Sequence, residues 1–311
     1  MSGVAAVESP IGEKLRRFLA DVCVQHVLVG LMATTPPIAR AARGALLGLT
    51  WRMSPYLRNN TLANARYLLG DGATPEACTR LARAIIANHY DFMADFARMS
   101  RWPLERLQGE IASMEGQSYY EQARSLGRGA VVVTAHLGSF EVGVAEIRRR
   151  EEHVHVVFRR NSHAPFERLR SSQRARLGVH ESPVDDGIAN WLRLRDALRR
   201  NEVVLLQADR VMPPQAGARL PFAGGTLEVP LGPAKLAAVA DAPIIPIFAT
   251  HTPERTVQVR VCPPILPDAD RDPLETTRLV TAVIESQVMA HPEQWLAAHS
   301  APIHPPEASS P

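Results

Sequence analysis

Four short, almost purely apolar runs in the second half of the chain constrain its fold most strongly. They are AVVVTA at 130–135, VHVVF at 154–158, EVVLLQA at 202–208 and PIIPIFA at 243–249. Such runs are typical of strands that are buried on both faces of a parallel sheet. Arginine-rich segments with helical character, 165–177 and 188–200, lie between them. Because strands alternate with helices, the sequence predicts an α/β fold with a mixed, largely parallel central sheet covered by helices on both sides.

The regions that flank these strands have different patterns. Residues 11–127 read mostly as helix, and TVQVRV at 256–261 alternates in the way expected of a half-exposed edge strand. The last residues, APIHPPEASSP, are rich in proline and serine. The predicted organisation is therefore N-terminal helices over 1–57, an α/β domain over 58–300, and a disordered tail over 301–311.

The first 57 residues contain two short apolar segments. Val22–Ala33 is far shorter than the roughly 20 apolar residues that a membrane-spanning helix needs. Ile38–Met53 predicts an amphipathic helix with arginines opposite a Leu/Trp face. Two such helices suit the surface of a bilayer, and we expect this region to contact a membrane. An ordinary packed helical hairpin is the alternative.

Composition argues against several classes of function. The net charge of +3 is too small to indicate a nucleic-acid partner. The cysteines are scattered without metal-ligand or disulfide spacing, and no phosphate-binding glycine fingerprint is present. His153 and His155 can share one face of a strand, but no third ligand is near them in sequence. We therefore expect neither a metal nor a nucleotide cofactor.

The segment GAVVVTAHLGSFEVG, residues 129–143, places a histidine at the end of a buried strand. Ligands bind at the carboxyl ends of strands in open α/β sheets. Gly138 permits close backbone approach, and Ser139 is a candidate N-cap that places Glu141 in the first turn of a helix. His136 and Glu141 can then meet as a general base and the carboxylate that orients it. Alternatively, they are a loop histidine and a helix-end glutamate with structural roles only.

Spacing alone does not decide between these interpretations. His180 and Asp185 have the same separation, and about one such pair is expected by chance in a chain of this composition. That second pair lies in the turn-rich segment GVHESPVDDG. Context therefore favours His136 and Glu141 as the functional pair.

The segment TAHLGSFEVG resembles the H-x4-D/E block of the glycerolipid acyltransferases. It is most similar to the branch of the lipid A late acyltransferases and the phosphatidylinositol mannoside acyltransferases. Further blocks that resemble this branch are RNNTLANARYLLG (58–70), FRRN (158–161), RARLG (174–178), LLQADR (205–210), RLPFAGGTLEVPLGPAKLAAVADAPIIPIF (219–248) and HPEQWL (291–296). Their common order over most of the chain is more specific than any single block.

The resemblance implies transfer of a fatty acyl chain from a thioester, acyl-ACP or acyl-CoA, to a hydroxyl of a membrane glycolipid. It implies that His136 is the general base and that Glu141 holds it. No covalent acyl-enzyme is needed, because a thioester is already activated. Backbone N–H groups near Gly138 and a nearby arginine are candidate oxyanion donors. It also implies a peripheral protein on the cytoplasmic face of the bacterial inner membrane.

The resemblance extends to residues that would bind the substrates. The candidates are Gly138, Ser139, Arg159, Asp209, Arg210 and Arg219. Asp209-Arg210 replaces the Asp-Gln of lipid A enzymes and is closer to the mannoside branch, and Ala223 replaces a frequent aromatic residue. The acceptor therefore stays open. Two alternative functions also stay open: a catalytically silent lipid- or carrier-binding protein, and a thioesterase in which His136 activates water.

Overall fold

A computed structural model describes residues 36–160, 164–211, 217–298 and 303–305. The apolar run Val22–Ala33 lies outside the described residues. The helices are α1 (Pro36–Met53), α2 (Pro55–Leu69), α3 (Pro75–Met99), α4 (Leu104–Gln108), α5 (Gln117–Arg124), α6 (Phe140–Arg150), α7 (Ala164–Leu177), α8 (Gly187–Arg199), α9 (Gly232–Ala240) and α10 (Pro273–Ala290). Short 3-10 turns cover Val184–Asp186 and Pro292–Gln294.

The strands form two sheets. They are β1 (Ile111–Glu115), β2 (Ala130–Thr134), β3 (Val154–Phe158), β4 (His180–Pro183), β5 (Val203–Gln207), β6 (Gly217–Phe222), β7 (Gly225–Pro230), β8 (Ile244–His251), β9 (Val257–Val261) and β10 (Ile303–His304). The larger sheet has seven strands in the order β1-β9-β8-β2-β5-β3-β4. Strands β8, β2, β5, β3 and β4 are parallel, whereas β9 runs antiparallel to β8. This confirms the predicted mixed, largely parallel sheet.

Strand β2 shows why the sheet is covered on both sides. All five of its residues are buried. Val131 and Val133 belong to one hydrophobic core, and Val132 belongs to a second. Because successive side chains of a strand point to opposite faces, the two cores lie on opposite faces of the sheet. An apolar run without alternation is the sequence signature of this double burial.

Two strand predictions are corrected. Strand β9 was expected at an edge, but β1 pairs with its outer side in parallel. Strand β1 was missed within the region that reads as helix, because its five residues, IASME, lack a clear apolar pattern. Within the segment predicted as a tail, Ile303–His304 pairs antiparallel with β7 in a three-stranded sheet, β10-β7-β6, while residues 301–302 and 306–311 lie outside the described residues. This short strand forms because its backbone hydrogen-bonds to β7. The proline and serine content of a segment does not report such pairing.

The predicted helix Ile38–Met53 lies within α1, and α1, α2 and α3 pack together. Ser54 and Thr74 accept capping hydrogen bonds at the starts of α2 and α3. Arg43 of α1 pairs with Asp91 of α3 at 2.7 Å. Within the described ranges, no helix combines the length and the apolar content that crossing a bilayer requires.

Candidate active site

The centre of the site is set by the register of two neighbouring parallel strands. Thr134, the last residue of β2, pairs with Gln207, the last residue of β5. His136 and Asp209 each follow two residues later. Because the ends of the two strands are paired and each residue is two positions past its strand end, His136 and Asp209 lie side by side at the carboxyl edge of the sheet. The sequence placed both residues at strand ends, and the pairing of β2 with β5 makes them neighbours.

The contact between His136 and Asp209 is direct. His136 Nδ1 lies 2.8 Å from Asp209 Oδ1, and the backbone N–H of His136 donates to the same oxygen at 3.1 Å. The indole N–H of Trp295 donates to Asp209 Oδ2 at 3.0 Å. A carboxylate only accepts hydrogen bonds, so Nδ1 carries the proton and Nε2 has a free lone pair. The His136 side chain is 28% exposed, whereas Asp209 is fully buried.

The electrostatics keep the pair in the state that a general base needs. Burial lowers the pKa of His136 below its ordinary value, and Arg210 lowers it further, while Asp209 opposes both effects. Burial alone would raise the pKa of Asp209. The positive charge and hydrogen bond of His136, together with Arg210 and Trp295, more than offset this and hold the Asp209 pKa well below its usual range. Asp209 is therefore ionised and His136 is neutral near pH 7.

Residues 291–298, which we call the C-terminal clamp, lie against the loop that carries His136. The N–H of Leu296 donates to the carbonyl of His136 at 2.8 Å, and the N–H of Gly138 donates to the carbonyl of Gln294 at 3.0 Å. The side chain of Arg210 donates to the carbonyl of Leu296. Together with the hydrogen bond from Trp295 to Asp209, these contacts mean that the C-terminal clamp positions both His136 and Asp209.

Gly138 is required by the fold at this turn. Its φ is +60°, and a Cβ at this position would lie 2.3 Å from the carbonyl oxygen of Ala249. The sequence predicted a close backbone approach at Gly138, and the backbone that lies close to it is that of β8. The N–H of Ser139 donates to the Ala249 carbonyl at 2.8 Å, and that of Leu137 donates to the Ala135 carbonyl. The N–H groups of residues 137–139 are thus engaged in holding the loop.

Ser139 occupies the predicted N-cap position of α6, but its side chain makes no capping hydrogen bond. The residue is buried. The carbonyl of Ser139 accepts the first hydrogen bond of the helix, from the N–H of Val142 at 3.0 Å.

Glu141 lies in the first turn of α6 as predicted, but the structure assigns it a different environment. It lines a hollow of about 40 Å³ with Phe158, Arg170 and Arg174. Burial raises the pKa of Glu141, and the two arginines oppose the rise. Among the described residues, the hydrogen-bond partner of the His136 ring is Asp209, not Glu141. The prediction that Glu141 orients His136 is therefore corrected: Asp209 holds Nδ1 of the ring, because the register of β2 and β5 makes the two residues neighbours.

The remaining candidate arginines lie in different places. Arg159 Nε is 3.9 Å from Asp185 at the end of the neighbouring strand β3, on a half-exposed rim. Arg210 Nε is 3.8 Å from Asp209 Oδ2, which places this arginine beside the pair. Arg219 is in β6 of the three-stranded sheet, opposite Glu228. Arg210 is thus placed against the His136–Asp209 pair by an ion contact.

Sequence reasoning assigned no role to the aromatic residues around the pair. Phe140 lies edge-on to the His136 ring with centroids 6.1 Å apart, and Phe92 of α3 packs against Phe140 at 5.3 Å. Trp295 is completely buried. Trp295 lies in the HPEQWL block, which the family resemblance had singled out. The resemblance did not indicate that the Trp295 indole donates a hydrogen bond to a carboxylate.

A family model described as bacterial lipid A biosynthesis acyltransferase matches residues 13–300. The chain belongs to this family. This confirms the resemblance that the ordered sequence blocks predicted, and it places the chain in a family of acyltransferase enzymes.

Relatives of this lipid A acyltransferase family member include two proteins from Mycobacterium tuberculosis. Both are phosphatidylinositol mannoside acyltransferases, from strains ATCC 25618 / H37Rv and CDC 1551 / Oshkosh. Each is 28% identical over 182 residues, which cover 58% of this chain and 56% of the relative. The chain thus spans little more than half the length of the relatives it matches.

Proposed function

We propose that this protein transfers a fatty acyl chain from a thioester to a hydroxyl of a membrane glycolipid, with His136 as the general base and Asp209 as the carboxylate that orients it. The observation that carries the proposal is the 2.8 Å contact between His136 Nδ1 and Asp209 at the carboxyl edge of the sheet. Membership of the acyltransferase family supports the reaction class.

The reaction follows from the placement of the His136 proton. Nε2 takes the proton of the acceptor hydroxyl as its oxygen attacks the thioester carbonyl. The tetrahedral intermediate collapses with cleavage of the C–S bond, and the sulfur leaves with the proton that Nε2 returns. Asp209 stabilises the transient imidazolium and fixes its tautomer. A thioester is already activated, so no covalent acyl-enzyme is required.

The oxyanion of the intermediate needs hydrogen-bond donors. The N–H groups of residues 137–139 serve the loop itself. Phe140 and Glu141 begin helix α6, and the first N–H groups of a helix cannot reach an acceptor inside it. The positive end of the helix dipole also favours negative charge there. We therefore assign the oxyanion to the amino end of α6, one turn from His136.

The acceptor is proposed to enter from a membrane surface. Leu49 and Met53 of α1 are 52% and 72% exposed, respectively. A groove of about 610 Å³ between α1 and α3 is lined by Leu47, Trp51 and Ile86, among others, with Arg52 and Arg83 at its side. Apolar side chains beside arginines suit the boundary between lipid headgroups and acyl chains. A peripheral position on the cytoplasmic face of the inner membrane accords with this surface and with the family.

The acyl donor is proposed to be acyl-ACP or acyl-CoA, and the name of the relatives suggests a mannosylated phosphoinositide as one acceptor to test. The decisive experiment incubates the purified protein with a membrane lipid extract and isotope-labelled acyl-CoA or acyl-ACP, followed by mass spectrometry. A labelled acylated glycolipid is expected. His304→Ala, an exposed histidine on β10, is the control for His136→Ala.

Each alternative function has its own result in this experiment. Release of labelled free fatty acid without an acylated lipid would assign a thioesterase. Binding of liposomes or carrier that survives His136→Ala, with no turnover of either kind, would assign a silent binding protein. Unchanged acyl transfer in His136→Ala would reject the proposed chemistry.

A further inference from the structure

Three histidines cluster at the amino edge of the central sheet, the edge opposite to His136. His153 precedes β3, His155 lies within β3, and His180 is the first residue of β4. His155 and His180 are paired in the parallel register of the two strands. Residues 153 and 155 project on the same side of a strand because side chains alternate. Strand pairing therefore brings together imidazoles that are about 25 residues apart in sequence.

The spacing of two of these rings matches a shared metal ion. His153 Nδ1 and His180 Nε2 are 3.5 Å apart, and both residues are exposed to solvent. Imidazole nitrogens bind Zn²⁺ at about 2.0–2.1 Å in tetrahedral geometry, which places two ligand nitrogens about 3.4 Å from each other. The two nitrogens form a hydrogen-bond contact in this structure, and a bound ion would replace that contact after rotation of the two side chains.

The third histidine orients the pair. The ring of His155 stacks on that of His180 with centroids 4.8 Å apart. Its Nε2 is held by Glu202 at 2.7 Å, and Glu202 directly precedes β5. A carboxylate that holds a neighbouring imidazole limits the rotation of the stacked ring. Reduced rotation lowers the entropic cost of placing His180 on a metal.

We propose that His153 and His180 form a binding site for a divalent transition metal ion, with Zn²⁺, Ni²⁺ and Cu²⁺ as the ions that imidazole ligands favour. No group of three or more ligating side chains suited to one metal is found in the part of the chain that the structure describes, so water completes the coordination. The ion would join β4, the last strand of the sheet, to the segment that precedes β3. This site is independent of the proposed acyl transfer.

The test is calorimetric titration of the purified full-length protein with ZnCl₂ and, separately, NiCl₂, using wild type, His153→Asn, His180→Asn and the control His304→Asn. Loss of an outer-shell partner of a metal ligand costs about 10- to 100-fold in affinity, so loss of a ligand is expected to weaken binding at least tenfold. His304→Asn should bind as wild type does.

A second measurement separates this site from other histidines. Metal that binds the native state raises the melting temperature, and this rise should be present in wild type and absent from His153→Asn and His180→Asn. Circular dichroism establishes that the exposed substitutions leave the fold intact. Saturable binding of equal affinity in wild type and both variants, or no saturable binding in wild type, would overturn the proposal.

Discussion

Asp209 follows His136 by 73 residues in sequence, yet its Oδ1 lies 2.8 Å from the Nδ1 of the His136 ring. The pairing of β2 with β5 creates this contact, because both residues stand two positions beyond paired strand ends. The imidazole is therefore oriented by the residue that follows the neighbouring strand, and Nε2 is the ring nitrogen that the proposed reaction uses.

Replacement of His136 tests the base. We expect His136→Ala to lower kcat by about 10²- to 10⁴-fold, the usual contribution of general base catalysis. Steady-state kinetics with a saturating acyl donor measure this change. A loss confined to KM would contradict the assigned role.

Asp209→Asn and Glu141→Gln distinguish the two candidate orienting carboxylates. The negative charge of Asp209 raises the pKa of His136, so its removal should lower that pKa and move the acid limb of the pH–rate profile to lower pH, together with a large loss of kcat. Glu141→Gln should leave the midpoint of that limb in place, because the ring stays bonded to Asp209. A shift caused by Glu141→Gln, with none in Asp209→Asn, would restore Glu141 as the orienting group.

The wild-type pH dependence follows from the pKa of His136. Burial lowers this pKa below the ordinary histidine value, and the base must be neutral to accept a proton. Activity should therefore fall on acidification with a midpoint below about pH 6.5. A midpoint above 7, measured in kcat/KM, would mean that the carboxylate outweighs burial.

Trp295→Phe tests the C-terminal clamp. It removes the donor to Oδ2 of the buried Asp209 carboxylate. An unsatisfied buried acceptor costs about 1–3 kcal/mol, so we expect a loss of unfolding free energy in this range and a lower kcat. Trp191→Phe, at a half-buried tryptophan of α8, is the matched control. Equal effects of the two substitutions in both measurements would argue against the role of the indole N–H.

Gly138→Ala tests the turn after His136. A left-handed residue other than glycine costs about 1–2 kcal/mol, and the added Cβ would also meet the backbone of Ala249 and Thr250. Gly224→Ala is the control: φ there is +73° and no heavy atom lies within 4 Å of the added Cβ. Urea unfolding should show a larger loss for Gly138→Ala. Equal losses would mean that the backbone relaxes at no cost.

Leu49→Asp and Met53→Asp test the proposed membrane surface. Charged residues on an interfacial apolar face weaken binding to bilayers. We expect both variants to co-sediment less with liposomes of bacterial lipids than wild type does. Leu279→Asp, at an exposed leucine of α10, should bind as wild type does. A reduction by Leu279→Asp alone would assign the membrane contact to the surface of α10 and reject the α1 surface.

Sequence by itself determined the fold class and placed His136, the proposed base, at the end of a buried strand. The apolar runs of β2, β5 and β8 are long enough to report burial on both faces, and His136 directly follows the first of them. Strand β3 is the exception, because it is fully buried only at Val154 and Phe158. Strand burial and the position of His136 after a strand depend on residues that are adjacent in sequence, so they can be read from the sequence. The ordered blocks also identified the family.

Three relationships were visible only in the tertiary structure. Asp209 is the carboxylate that contacts His136, Trp295 donates a hydrogen bond to Asp209, and β1 pairs with the outer edge of β9. Each of these relationships joins residues that are far apart in the chain. They depend on strand order and register, which arise from the packing of the whole sheet and leave no local periodicity in the sequence.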